Sequence, residues 1–544
     1  MNYHIITYGC QMNYSDSERI AAILKLAKIT PAKNIEEADL LIINSCSVRQ
    51  SAINRIYGQL INFKKINKSG KTILTGCVLE TDRKKFKDKF DLIIDIKELT
   101  NPKNDGLKKL LKLLNPLTDE REFKGFEYAD YFKINPQYRS NFSAYIPIMT
   151  GCDNFCAYCA VPYTRGREIS RPAEEIIKEV KKLIEKGYKE ITLLGQNVNS
   201  YKSSIKYPVL SIKQNSKQVS FLSRNKIRDK LRQESITTLD IPKHTNPNNK
   251  SNPTNWIPAF AGMTKMLGAE KLINFPSILR FINNIPGNFW IRFLTSHPKD
   301  MSDELIETMA KCEKVCEYAH LPIQAGDNKI LQKMNRRYTV AHYLKLIKKI
   351  KQTYNLGNLE ARRPSELGRL ASKLPSVAIS TDIIVGFPGE TKAQFANTAK
   401  IMRKVKFDMA YLAQYSPRAG TAAAKLKDNV SIAEKKRRKE FLNEILRKTA
   451  LSNNKKYIGK IVEVLIEKIE NKIAIGKTRT FKNVRIQNPP QSPFAKGEEK
   501  CAKKIPPFEK GRLGGIFLQS GQFAKVKITQ ASAWGLEGEV AENV

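Results

Sequence analysis

The chain has 544 residues, 94 Lys and Arg against 53 Asp and Glu, a formal net charge of +41 and 41% hydrophobic residues. That length holds roughly two to four domains with substantial cores; the composition excludes a globally disordered chain, and the charge points to a polyanionic partner, nucleic acid above all. Nine cysteines, an odd count, do not fit a secreted disulfide scaffold, no signal peptide is visible and no apolar run approaches the ~20 residues that span a bilayer, so a reducing cytoplasm and no membrane are expected.

In chain order, β-rich runs at Tyr3–Tyr8, Asp39–Asn44, Thr72–Thr75 and Leu92–Ile96, with helical segments such as Asp16–Ala27 between them, predict a small parallel α/β domain over 1–118. After a basic, aromatic linker, strands are predicted at Ala144–Met149, Glu190–Leu194, Phe289–Leu294, Tyr318–Pro322, Ala378–Val385 and Met409–Gln414. Six strands separated by helices predict a parallel barrel or partial barrel over 138–450. Its helix Ala173–Lys186 is opened by Pro172 and ended by Gly187. Residues 431–454 read as a Lys/Arg-rich helix, and alternating strands (Ile461–Ile466, Phe523–Ile528) predict a small all-β module over 455–544. Three stretches without periodicity, 201–269, 355–376 and 488–517, are too long for loops inside compact domains and are expected to be disordered surface insertions. They carry +14 of the +41, so the remainder stays strongly basic at +27.

Cys152-Asp-Asn-Phe-Cys156-Ala-Tyr-Cys159 directly follows a predicted strand. Soft thiolates hold Fe–S clusters or zinc. Three of them leave one iron of a 4Fe–4S cluster open, and the spacing resembles the radical S-adenosylmethionine (SAM) signature, in which SAM occupies that iron. Parallel barrels place their sites at this end of the strands. Cys10, Cys46 and Cys77 are far apart in sequence, yet each follows a predicted strand, and the C-terminal ends of parallel strands share one edge. The three thiols are therefore expected to converge as a second cluster with an open iron. Cys312 and Cys316 have no further ligand close in sequence and read as buried thiols.

Tyr8-Gly-Cys-Gln-Met-Asn13, Asn44-Ser-Cys-Ser-Val-Arg49, Thr75-Gly-Cys77 and the run from Gly151 to Glu168 resemble the methylthiotransferases of the radical SAM superfamily. Gly195-Gln-Asn-Val-Asn199, Thr295-Ser-His-Pro298, His320-Leu-Pro-Ile-Gln324, Met334-Asn-Arg-Arg-Tyr-Thr339, Asp382 to Thr391 and Tyr415 to Thr421 continue the likeness along nearly the whole chain outside the three insertions. The resemblance implies an N-terminal domain with an auxiliary 4Fe–4S cluster, a radical SAM partial (β/α)6 barrel with another, and a C-terminal all-β TRAM module that binds RNA. The insertion at 488–517 falls inside that module and puts its normal closure in question. The implied reaction adds a methylthio group to C2 of N6-isopentenyl-adenosine at position 37 of tRNA, with two SAM per turnover. Siblings act on threonylcarbamoyl-adenosine tRNA or a ribosomal protein, and a non-catalytic RNA-binding scaffold is the reading from another class. An electron donor such as flavodoxin or ferredoxin and a sulfur donor are implied partners.

Gly195, Gln196, Asn197, Ser296, Gln324 and Asp382 are expected to contact SAM: the first five follow or end barrel strands, Asp382 lies within the fifth, and all would face the barrel mouth. His297 ends the same strand as Ser296 and fits either a contact at the barrel mouth or a capped core histidine. Arg165, Arg167 and Arg171 form a basic strip beside the cysteine motif and are expected, with Lys477 and Arg479 of the TRAM module, to contact RNA.

Overall fold

The computed structural model describes residues 1–46, 50–99, 109–110, 112–113, 131–205, 271–355, 377–471, 473–487 and 518–541. The first sheet contains β1 (Asn2–Tyr8), β2 (Thr30–Pro31), β3 (Leu40–Cys46), β4 (Lys71–Cys77) and β5 (Leu92–Ile93). Its order is β2-β1-β3-β4-β5, all parallel. β3 is buried at every position, because helices cover both faces of the sheet. Its side chains alternate between them. Leu40 and Ile42 pack with Ile20, Ile23 and Leu24 of helix α1 (Gln11–Leu26). Leu41 and Ile43 pack with Ile56, Leu60 and Phe63 of α2 (Gln50–Ile66). Each side chain so buried contributes about 1.5–3 kcal/mol.

α1 also turns charge inward: Asp16, Glu18 and Arg19 are buried. Glu18 accepts from the Arg139 amide at 3.2 Å through Oε1, while Oε2 has no partner. Burial raises its carboxyl from 4.5 to about 7. The native state thus keeps a proton that the unfolded chain releases, and stability falls as pH rises from about 4.5 to 7. Glu18→Gln is expected to raise the thermal midpoint at pH 8 and to change it little at pH 4.5. The gain at pH 8 corresponds to about 2–3 kcal/mol, read from unfolding scans at both pH values.

The second layer begins with β6 (Ser143–Pro147), covered by α3 (Ala173–Glu185), whose Ile176, Val180 and Leu183 lie one turn apart and are buried. β6, β7 (Glu190–Leu194) and β8 (Trp290–Phe293) form one parallel sheet. β9 (Tyr318–His320), β10 (Ala378–Val385) and β11 (Met409–Gln414) form another. A bridge between Ile291 and Val315 joins them, with the Cys316 amide donating to the Ile291 carbonyl at 3.0 Å. The result is a partial barrel of six strands, open between β6 and β11. β7, β10 and β11 have the expected bounds. β9 is shorter than expected because Pro322 has no N–H to give.

Strands Lys202–Ile205 and Lys271–Asn274 pair with each other. Ser204–Leu272 forms a second compact unit of which only the ends are described. The expected insertions at 201–269, 355–376 and 488–517 thus lie almost wholly outside the described residues.

Helix α4 (Ile432–Lys455) leads to β12 (Ile461–Glu470), β13 (Ile473–Thr478), β14 (Asn483–Gln487), β15 (Phe523–Ala531) and β16 (Leu536–Val540). These close a barrel in the order β12-β13-β14-β16-β15 around Val464, Ile466, Val484, Ile486, Val526 and Ile528. The interruption at 488–517 leaves closure intact. It joins β14 to β15, which are not neighbours: β14 pairs with β13 and β16, and β15 with β12 and β16.

The turn between β13 and β14 plugs the floor of the partial barrel. Phe481, at φ +64°, stacks on Tyr318. Arg292 donates to the carbonyls of Thr478 and Arg479 at 2.9 and 3.0 Å. Lys482 pairs with Asp408 at 2.7 Å, and Arg479 pairs with Glu317 at 2.8 Å.

Candidate active site

Cys46 and Cys77 end β3 and β4 and stand opposite one another in register. Between them the chain needs Gly76, at φ +106°, where an added Cβ would collide with the Ser45 carbonyl oxygen. Cys10 is the N-cap of α1, and the Asn13 side chain accepts from its amide at 3.1 Å. Asn13 in turn donates to Asn44 at 3.1 Å, tying α1 to β3. A hydrogen bond with Cys46 brings Cys77 down to about 7 against burial, with help from Arg165. Burial raises Cys10. Ser45 Oγ and Thr75 Oγ1, beside these thiols, are buried without partners among the described residues.

The second triad lies on the loop after β6. Gly151, at φ +75°, cannot carry a side chain there, since a Cβ would strike the Arg167 carbonyl. Phe155 sits at φ +45°, and the Asn335 amide donates to its carbonyl at 2.9 Å. The Ala157 amide bonds to Met334 at 2.9 Å. Arg336, two residues on, donates to Cys156 Sγ at 3.3 Å. Burial opposes its charge, but Tyr158, Tyr338 and Cys156 hold its pKa above the ordinary value. Burial and the other two thiols push Cys159 up to about 12.

One side chain links the two triads. Arg165, six residues after Cys159, reaches across and donates through Nε to Cys77 Sγ at 3.1 Å. Its other nitrogens grip Asp16 of α1 at 2.5 and 3.4 Å, and Tyr131 donates to the same carboxylate at 2.8 Å. Arg418, after β11, is buried beside Asp82 and Cys46, which oppose the lowering of its pKa by burial.

The expected basic strip therefore needs correction. Arg165 is buried against Asp16 and Cys77, and Arg171 is buried against Glu175 and Glu179 of α3. Neither is presented to phosphate. Only Arg167 of the three is exposed, paired with Asp153 at 3.0 Å. Arg479 is likewise buried on Glu317 and the carbonyls of Glu313 and Val315 and locks the two domains instead of facing RNA. Lys477 remains partly exposed, with Glu467 at 2.6 Å.

Of the residues expected to bind SAM, Gln196 and Asn197 carry buried polar atoms without partners among the described residues. Gly195 directly follows β7, where a Cβ would press on Met149. Gln196 Oε1, Asn197 Oδ1 and both amide atoms of Asn199 are buried and unpaired. Asn197 is held by Asp300 at 2.7 Å. Ser296 and Gln324 are buried, and Gln324, at φ +70°, bonds through its amide to the Asp382 carbonyl at 2.9 Å. Asp382 is partly exposed, 3.5 Å from His320. His297 acts as a cap: its Nδ1 accepts from Lys299 at 3.1 Å, and burial lowers it to about 2. Asp16, Tyr131, Arg336 and Asn199 escaped sequence reasoning as site residues. Asn199 and Arg336 carried a signal, lying in the Gly195–Asn199 and Met334–Thr339 motifs.

Among the described residues, no three His, Cys, Asp or Glu side chains stand close enough to hold a single metal ion. A 4Fe–4S cluster takes one thiolate per iron, so its ligands stay further apart than those of one ion. Two triads of soft donors, each with a buried guanidinium on one thiol to offset the anionic charge, fit such clusters. The unpaired amide atoms after β7 fit a polar ligand above the second triad.

Residues 2–96 match the family model described as Uncharacterized protein family UPF0004, and residues 146–248 and 259–402 match the Radical SAM superfamily. The tRNA-2-methylthio-N(6)-dimethylallyladenosine synthase of Thermoanaerobacter sp. (strain X514) is 36% identical, over 99% of this chain and 93% of that one. Its counterpart in Clostridium novyi (strain NT) is 34% identical over 99% and 96%. Among solved structures, the radical S-adenosylmethionine methyltransferase TsrM from Kitasatospora setae gives a TM-score of 0.40 at 11% identity, over 75% of this chain and 68% of that one. No described helix is long and apolar enough to cross a membrane.

Proposed function

Since the chain belongs to the radical SAM tRNA methylthiotransferases, we propose that it adds a methylthio group to C2 of N6-isopentenyl-adenosine at position 37 of tRNA, using two SAM per turnover. The observation that carries this reading is the link that Arg165 makes between two separate cysteine triads. Cys152, Cys156 and Cys159 would hold the radical SAM cluster, and Cys10, Cys46 and Cys77 an auxiliary one. When bound, these groups supply one-electron cleavage of SAM and a carrier for sulfur.

The chain's own part is charge, position and dryness. Arg336 and Arg165 each offset charge on a ligating thiolate. Asp16 and Tyr131 fix Arg165, so the distance between the triads is set by a buried ion pair and not by a flexible link. Gln196, Asn197, Asn199, Ser296, Gln324 and Asp382 offer the polar contacts that would orient SAM. The lumen, floored by the Phe481 turn, keeps water from a reactive carbon centre. Arg167 and Lys477, with the net basic charge, would meet RNA phosphates. A flavodoxin or ferredoxin would deliver electrons, a sulfur donor would recharge the auxiliary site, and the cytoplasm is the compartment where tRNA is met.

Nucleoside analysis of tRNA from a deletion strain tests the substrate. The expected result is loss of 2-methylthio-N6-isopentenyl-adenosine with accumulation of N6-isopentenyl-adenosine. Persistence of the methylthio nucleoside overturns the reading, and loss of the threonylcarbamoyl derivative instead moves the chain to a sibling activity. Anaerobic reconstitution is expected to load roughly eight irons per chain, four for each cluster.

A further inference from the structure

A cavity of ≈ 170 Å³ lies where the C-terminal barrel meets the lower ends of β9 and β11, away from the cysteine loops. Pockets for drug-sized ligands run ~300–1,000 Å³, so this one suits a single flat ring system. Two of its walls are aromatic and come from different domains: Tyr411 of β11, and Trp534 of the turn between β15 and β16. Each is 50% exposed, whereas Tyr318 and Trp290 nearby are buried.

Asn454, near the end of α4, forms a third wall. Its amide donates to the carbonyls of Ser532 and Ala533 at 2.8 and 3.3 Å, which fixes its orientation. That leaves Oδ1 as a buried acceptor with no partner among the described residues. A buried acceptor of this kind calls for a donor that arrives with a ligand. Lys477 lines the same cavity.

We propose that this cavity receives one unstacked nucleobase of the substrate RNA, stacked by Trp534 and Tyr411 and donating an N–H to Asn454 Oδ1. The proposal rests on the tRNA reading above and extends it to a base other than the one that reacts. Single-stranded loops are recognised in this way, by splayed bases on aromatic side chains with hydrogen bonds at their edges. The site exists only because the C-terminal barrel docks on β9 and β11, so the docked barrel supplies a reader of the loop as well as a floor.

The test is equilibrium binding of an anticodon stem-loop RNA to the full chain, for the native protein, Trp534→Ala, Trp534→Phe and Tyr411→Ala. Each alanine variant is expected to weaken binding by at least about 5-fold, and Trp534→Phe to retain most of the affinity. The slope of affinity against salt is expected to stay unchanged, because no phosphate contact is lost. Native affinity in Trp534→Ala, or an equal loss in Trp534→Phe, overturns the pocket and leaves the tRNA reading standing. A reduced salt slope assigns the loss to a phosphate contact and overturns stacking. No binding by the native chain overturns both readings.

Discussion

Cys156→Ala is expected to abolish reductive cleavage of SAM, by at least about 1,000-fold or about 4 kcal/mol in barrier, while the chain stays folded and still binds RNA. Cys156 is only partly buried, and its Sγ makes one polar contact that the structure describes, the 3.3 Å bond from Arg336. Removing one sulfur from a half-exposed loop leaves a small void and a guanidinium that keeps Tyr338 and the Pro322 carbonyl as partners. The stability cost is therefore expected to be about 1 kcal/mol. The chemical cost is large because the cluster would lose one of three protein ligands, and neither Cys312 nor Cys316, the two described thiols outside the triads, is exposed to replace it: both are buried, and Cys316 lies beside Arg292. 5′-Deoxyadenosine formation, iron content and the thermal midpoint together check the claim. Native production of 5′-deoxyadenosine would remove Cys156 from the ligand set.

Arg165→Gln is expected to separate the two halves of the reaction. The Arg165–Asp16 pair is nearly free of solvent, and stripping one partner from such a pair costs about 3–5 kcal/mol because the other charge is left buried alone. Asp16→Asn is expected to cost a similar amount. In the double variant neither charge is stranded, and most of the stability returns. What does not return is the donor to Cys77. The double variant is expected to cleave SAM at a near-native rate, since Cys152, Cys156, Cys159 and Arg336 are untouched. It is expected to hold about half the native iron and to make no methylthio product. A purely structural role for Arg165 would restore iron and product along with the thermal midpoint.

The cysteines were legible because chemistry fixes their spacing. CxxxCxxC is local, and the three dispersed thiols announced themselves by each following a strand. The strands themselves were readable where apolar runs end at a turn residue: β7, β10 and β11 have the bounds their sequence predicts. Arg165 and Arg479 were misread for one reason, whereas the partners of Arg171 lie close by at Glu175 and Glu179. A basic residue beside a motif looks like surface charge, and the carboxylates that neutralise Arg165 and Arg479 lie 149 and 162 residues away in the chain. Only the fold brings them together. Barrel closure was doubted for a similar reason: a sequence shows that an insertion interrupts a module, but not that the strands on either side are non-neighbours.

The plug at the barrel floor has a consequence for how the chain is made. Thr478–Lys482 and the closing strand β16 follow all six strands of the partial barrel in the sequence. At ~5–20 residues per second, some 70 residues of translation separate the end of β11 from Lys482, a delay on the order of several seconds. During that interval Arg292, Glu317 and Asp408 wait at the lower strand ends without the turn that satisfies them. The nascent enzyme thus passes through a stage in which its lumen is open from below as well as from the side.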